Sequence, residues 1–97
     1  MDEHKGAEMR NYKDLIVWQK GIELIVDIYG TTKKFPKDEL YGLTSQMRRA
    51  AVSIPTNISE GYTRNHRTEY IQFLYIAKSS AAELDTLLEI SSKLINS

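Results

Sequence analysis

Apolar side chains recur every three or four residues along most of this chain, and that spacing constrains the fold more than any other feature. Between residues 12 and 33, one stripe of a helix would carry Leu15, Trp18, Ile22, Ile25 and Tyr29. A second stripe at the same spacing contains Val17, Gly21, Leu24 and Ile28. A helix that is apolar on two sides packs against its own bundle and also against something else. We therefore predict that the second stripe makes contacts between subunits.

Two further helices are predicted, at about residues 37–60 and 66–95. Pro36 separates the first helix from the second, because the residue before a proline is pushed out of the helical region. Pro55 removes a backbone donor inside the second helix, so a kink or a break is expected there. Gly61 is the expected C-terminal cap of the second helix, and Asn65 the expected N-cap of the third.

This pattern predicts an all-α fold, an up-and-down antiparallel bundle of the four-helix type with its fourth helix missing or truncated. Residues 12–97 would form a single helical domain after a flexible leader at residues 1–11. The third helix is still apolar at Leu94 and Ile95, shortly before Ser97. Either a missing fourth helix or a neighbouring subunit is therefore expected to cover that end.

Composition excludes several classes of protein. The 97 residues contain no cysteine, which excludes disulfides and thiolate metal sites and fits a reducing compartment. No apolar run approaches the ~20 residues that span a bilayer, so no membrane contact is predicted and the cytoplasm is the expected location. The formal net charge is zero, whereas dedicated nucleic-acid-binding domains are usually strongly basic.

Residues for catalysis are sparse. Only two histidines occur, His4 in the leader and His66 at the start of the third helix, where an exposed first-turn role is expected. No metal-ligand cluster and no glycine-rich phosphate loop is present in the sequence. We therefore predict a protein that is not an enzyme, with no cofactor, no metal and no small-molecule substrate.

Polar residues in the second helix suggest a structural network. Arg49, Asn57 and Glu60 come to nearly one side of that helix, and Glu83 of the third helix could approach them. A buried arginine must be paired and hydrogen-bonded, because its desolvation is otherwise too costly. A structural network of these four residues is favoured over a catalytic one.

A local basic surface is a second candidate site. Its members would be Lys13, Lys20, Lys33, Lys34, Lys37, Arg64 and Arg67. The simpler interpretation is that these side chains lie on solvated helix faces. A ring of identical subunits would nevertheless multiply a weak patch into a substantial field, which would make RNA or DNA a partner.

The run from Phe35 to Tyr62, which contains Gln46-Met47-Arg48-Arg49-Ala50-Ala51-Val52-Ser53-Ile54-Pro55, resembles a known family. These residues are similar to those of the four-helix-bundle proteins encoded by intervening sequences in bacterial 23S ribosomal RNA genes. The resemblance extends upstream to Leu15 and Val17-Trp18-Gln19-Lys20, and downstream to Phe73-Leu74, Ala77, Ser80 and Glu83-Leu84.

The resemblance implies a cytosolic four-helix bundle that forms homopentamers and has no settled biochemical role. Relatives of that family serve as accessory proteins of diversity-generating retroelements, in which a basic pentamer binds nucleic acid and the reverse transcriptase. The family has a fourth helix after the region of Glu83-Leu84, and the present sequence ends at Ser97 without it. The expected function is that of a non-enzymatic homo-oligomer, with a nucleic-acid-binding accessory protein as the alternative.

Overall fold

The computed structural model describes residues 11–96 and forms an all-α, up-and-down antiparallel helical bundle. A 3-10 turn at Tyr12–Asp14 precedes three helices: α1 (Ile16–Thr32), α2 (Lys37–Thr63) and α3 (Arg67–Ile95). The predicted leader lies outside the described residues except for Asn11, as do Ser97 and the side chains at positions 38 and 39.

Helix α2 is the central element of the bundle. Both α1 and α3 pack along it, while α1 and α3 hardly contact each other within the described part of the chain. Gly21 of α1 faces Pro55, whereas the later Thr32 contacts the earlier Arg48. On the other side Phe73 faces Gly61, whereas the later Ser91 contacts the earlier Met47, so each neighbour runs antiparallel to α2. The result is an elongated molecule of 55 × 23 × 16 Å.

The start of α1 differs from the predicted one. Asn11 caps the 3-10 turn by accepting a hydrogen bond from the Lys13 backbone at 2.8 Å. Leu15 is then extended (φ −75°, ψ 127°), and the α-helix begins only at Ile16. The capped turn explains the difference, because an asparagine side chain that bonds nearby backbone offers the chain an alternative to the helix.

Helix α2 does not break at Pro55, so the alternative of a break in the prediction was wrong. Helix α2 continues through this residue, and its single non-helical conformation is at Leu40 (φ −115°, ψ 15°) near the N-terminus. The Pro55 ring is buried beside Gly21, and a Cβ built on that glycine would lie 3.1 Å from the Cβ of Pro55. Burial of the ring between two helices offsets the missing backbone hydrogen bond.

The connection between α2 and α3 also differs from the expected caps. Gly61 lies inside α2 rather than at its cap, and a Cβ there would meet the Cβ of Phe73 at 2.6 Å. The chain reverses at Asn65, whose φ of 58° is left-handed, a conformation that asparagine tolerates better than most residues. His66, not Asn65, precedes the first residue of α3, and its side chain makes no capping hydrogen bond. Gly61 is therefore explained by close helix packing rather than by helix termination.

The core is one cluster along α2, to which α1 and α3 each contribute side chains. Two of its largest fully buried side chains are Met47 and Ile58 of α2, 0% and 2% exposed, with Leu84 of α3 and Ile28 of α1 in the same cluster. The Ser91 hydroxyl lies 3.4 Å from the Met47 sulfur and is itself buried. The core is thus completed by residues from each helix.

Most of the α1 residues that were predicted to contact another subunit pack instead within the chain. Gly21 and Ile28 are buried against α2, and Leu24 packs against the core, whereas Val17 is 52% exposed. Two stripes of one helix are only about a quarter of a turn apart, so a single bundle can contact parts of both. Assigning Gly21 and Ile28 to contacts between subunits was therefore wrong for this chain.

Residues 11–96 contain no helix with the length and hydropathy that a bilayer crossing requires.

Candidate functional site: two clefts on the central helix

Helix α2 carries two neighbouring clefts, one shared with α1 and one shared with α3. Arg49 and Ser53 lie in both. The cleft on the α1 side has a volume of about 600 Å³, and the one on the α3 side about 420 Å³. Of the predicted site residues, Arg49, Asn57 and Glu83 line these two clefts.

In the α3-side cleft, a short chain of hydrogen bonds joins α2 to α3. The Ser53 and Ser80 hydroxyls are 2.8 Å apart. The Asn57 amide donates to the Ser53 backbone carbonyl at 2.8 Å and to its hydroxyl at 2.9 Å. Asn57 is thereby held within α2, and Ser53 carries the link to α3.

The predicted network of Arg49, Asn57, Glu60 and Glu83 is not formed in this chain. Arg49 and Glu83 line the α3-side cleft together, but both are exposed and no described ion pair joins them. Glu60 lies instead in a separate cleft with Tyr12 and Arg64. The prediction assumed a buried arginine. Because Arg49 is hydrated, its charge does not require a protein partner.

Arg48, which the proposed network omitted, makes the more extensive contacts. Its Nε donates to the Thr32 hydroxyl at 2.9 Å, and its guanidinium lies 4.3 Å from the centre of the Tyr29 ring. Thr32 is buried and donates in turn to the Ile28 carbonyl at 2.7 Å. The sequence contains a signal for this contact between helices. Arg48 lies one turn before Ala51 and two turns before Pro55, on the face of α2 that packs against α1.

The predicted basic residues divide between the two ends of the molecule. Lys13, Arg64 and Arg67 lie near the α2–α3 turn, while Lys33, Lys34 and Lys37 lie at the α1–α2 turn. The 27 residues of α2 separate these ends by roughly 40 Å at 1.5 Å per residue. All six are exposed, as is Lys20. The expected single patch is therefore two patches.

Some of these cations already have partners. Lys20 lies 4.0 Å from Glu23, and Arg64 lies 3.8 Å from Glu69. The Arg64 guanidinium also lies 5.0 Å from the centre of the Phe73 ring. Partly neutralised cations attract phosphate less, so the end that carries the three lysines is the more available of the two.

A third cleft lies at the α2–α3 turn and contains His66. Tyr62 and Tyr70 meet there edge to face, with ring centres 5.9 Å apart. Burial raises the pKa of the Tyr70 hydroxyl, and the charge of a nearby Tyr62 phenolate adds to the rise. His66 is exposed, and within residues 11–96 no three histidine, aspartate or glutamate side chains are grouped to hold a metal ion.

Comparison with known proteins identifies the family of this chain. A search of curated proteins found no match. The family model described as 23S rRNA-intervening sequence protein matches residues 13–95, which include α1, α2, α3 and the clefts between them. The chain therefore belongs to the family of 23S rRNA-intervening sequence proteins.

Proposed function

We propose that this chain acts as a non-enzymatic helical scaffold in the cytoplasm that assembles with copies of itself into a homopentamer. The observation that carries the proposal is apolar surface left uncovered on both outer helices. On α1, Ile16 is 72% and Val26 65% exposed, and on α3, Tyr75 is 64% and Ile76 47% exposed. Exposed apolar surface of this extent marks sites of protein contact.

A closed ring requires two different surfaces on each subunit, one that meets the next copy and one that meets the previous copy. The outer faces of α1 and α3 meet that requirement because both are apolar and they belong to different helices. Contact between the α1 face of one copy and the α3 face of the next would cover the exposed apolar side chains of both helices.

Light scattering of two variants tests this arrangement. Val26→Glu should disable the α1 surface and Ile76→Glu the α3 surface, so each variant alone should be a monomer at low micromolar concentration. A mixture of the two retains one intact pair of surfaces and should form a 1:1 dimer. Ala81→Glu, at an exposed position about a third of a turn around α3 from both Tyr75 and Ile76, is the matched control and should remain a pentamer. A monomeric wild-type chain would refute the proposal.

A second candidate function is binding of RNA or DNA by the oligomer. It is favoured by the cluster of Lys33, Lys34 and Lys37 at one end of the molecule, because a cyclic ring would place all copies of this cluster on the same rim. A fluorescence titration with a single-stranded oligonucleotide at increasing salt should show steeply falling affinity. Replacing the three lysines by glutamine should flatten that salt dependence, whereas removing Lys13, Arg64 and Arg67 should have less effect.

A further inference from the structure

An open cleft lies along α2 where Tyr29 of α1 borders it. Its volume of about 600 Å³ falls within the roughly 300–1,000 Å³ of small-molecule pockets. Two arginines and two tyrosines line it, Arg48 and Arg49 from α2 with Tyr29 from α1 and Tyr41 from α2. Positive charge and aromatic surface are therefore combined in one concave region.

Arg48 is held in place before any ligand arrives. Its Nε donates to the Thr32 hydroxyl, its Nη2 makes a longer 3.5 Å contact with the Tyr29 carbonyl, and its guanidinium stacks over the Tyr29 ring. Arginine has five N–H donors. These contacts use two of them, so three remain without a described protein acceptor. A guanidinium that is already ordered loses less conformational entropy on binding an anion.

The second arginine adds a positive charge that forms no described ion pair, although Glu83 lines the neighbouring cleft with it. Arg49 is exposed, and no hydrogen bond or ion pair of its side chain is found among residues 11–96. None of the described residues that line the cleft is acidic, while Thr44, Ser45 and Thr56 contribute hydroxyl groups. Paired guanidiniums with nearby hydroxyl donors favour an oxyanion, and phosphate in particular matches the planar fork of arginine.

Aromatic surface at the cleft favours a ligand that also has a planar ring. Tyr41 is 75% exposed and Tyr29 44% exposed, although tyrosine side chains gain by burying their rings. One face of Tyr29 is covered by the Arg48 guanidinium, which leaves Tyr41 as the more open ring. Stacking of a base on such a ring contributes about 1–3 kcal/mol in nucleic-acid-binding proteins.

We propose that the cleft between α1 and α2 binds a nucleotide, with its phosphate at Arg48 and Arg49 and its base against Tyr41. The ligand chemistry is a phosphate joined to a planar base, and it could be supplied by a free mononucleotide or by one nucleotide of a single strand. This site involves none of the lysines of the second candidate function, and it does not depend on assembly of the chain into a ring.

Isothermal titration calorimetry of the full chain tests the site with four probes: adenosine 5′-monophosphate, inorganic phosphate, adenosine and a short single-stranded oligoadenylate. The monophosphate should bind more tightly than either phosphate or adenosine alone, since each of these lacks one half of the recognised group. The oligoadenylate could bind when the monophosphate does not. If the Arg49 variant described below then loses that binding, the site is supported and its natural ligand is a nucleotide within a single strand. Absence of binding by all four probes would overturn the proposal.

Two variants locate the binding. Arg49→Gln and Tyr41→Leu change exposed side chains, and each should weaken the bound probe roughly tenfold, as expected for loss of one charge-assisted contact or one stacked ring. Lys78→Gln removes one exposed charge from α3, away from the cleft, and should leave the affinity unchanged.

If Lys78→Gln weakened the affinity for the probe as much as Arg49→Gln does, general attraction between charges would explain the binding and the proposed site would be refuted. The proposal would also fail if Arg49→Gln and Tyr41→Leu changed the subunit count in light scattering while nucleotide affinity stayed constant. That result would assign the cleft to a second copy of the chain.

Discussion

At the scale of single residues, the contact of Arg48 with Thr32 ties the end of α1 to the middle of α2. Thr32 is 4% exposed, and its hydroxyl both donates to the Ile28 carbonyl and accepts from the Arg48 Nε. This one hydroxyl therefore joins a helix backbone to a charged side chain of another helix. Charge-assisted hydrogen bonds of this kind are stronger than neutral ones.

We expect Thr32→Val to destabilise the chain by about 1 kcal/mol, because valine retains the shape of threonine but cannot accept from Arg48. The measurement is the midpoint of urea unfolding followed by circular dichroism. Thr31→Val is the matched control, since Thr31 is the exposed neighbour and its side chain makes no described hydrogen bond. Equal midpoints for the two variants would mean that the Arg48 contact contributes nothing to stability.

At the scale of helices, α1 approaches α2 most closely where Gly21 faces Pro55. A Cβ on Gly21 would lie 3.1 to 3.4 Å from three atoms of the Pro55 ring, which is tighter than ordinary packing. Gly30 belongs to the same helix but has no such neighbour within 4 Å of its built Cβ. The two glycines thus separate the effect of packing from the effect of helix propensity.

Gly30→Ala should stabilise the chain by roughly 0.5–1 kcal/mol, because alanine has the higher helix propensity and meets no obstacle. Gly21→Ala should gain the same helix propensity. Its free energy of unfolding should nevertheless fall by at least about 1 kcal/mol, because the added methyl group displaces α1 from the proline ring. Thermal unfolding of both variants beside the wild type measures the difference. If Gly21→Ala proved as stable as Gly30→Ala, Pro55 would have room to move and the close approach would not be required.

At the scale of the whole molecule, three helices in an open arrangement leave the outer two with little contact to each other. The core around Met47 and Ile58 is closed, yet large apolar side chains remain uncovered on α1 and on α3. The folded chain is stabilised when other copies cover such a surface, as they would in the proposed ring.

The thermal midpoint of the wild-type chain should therefore rise with protein concentration, by a few degrees over a hundredfold range, because mass action favours the assembled folded state. Differential scanning calorimetry at several concentrations measures this dependence. Val26→Glu should unfold at a midpoint that does not change with concentration. A constant midpoint for the wild type would be incompatible with stabilisation by assembly.

Much of the fold could be predicted from the spacing of apolar residues. The all-α class, the number of long helices in residues 11–96 and the α1–α2 connection at Pro36 all follow from local signals. The uninterrupted helix at Pro55, the buried Gly61 and the left-handed Asn65 did not follow from local signals. Proline and glycine are common at breaks and caps, but here both are buried inside α2, where packing against Gly21 and Phe73 outweighs their local preferences.

The candidate sites were harder to predict than the fold. Spacing along one helix placed Arg49, Asn57 and Glu60 together, yet Arg49 and Glu60 lie in different clefts. The seven basic residues are all exposed, but their division between the two ends depends on how the helices fold back on each other. Arg48, which makes the contacts, lies next to Arg49 in the sequence. Helical spacing places Arg48 on the same face as Pro55, but its contact with Thr32 of α1 depends on how the two helices pack.

The sequence by itself determined that this chain forms helices and belongs to its family, because helical periodicity and a long characteristic segment are properties of consecutive residues. Tertiary structure alone decided which apolar stripe of α1 is buried, that Pro55 is accommodated, and that the arginines line a cleft. Those outcomes depend on the distance between side chains of different helices, and neither the spacing nor the propensity of residues within one helix specifies that distance.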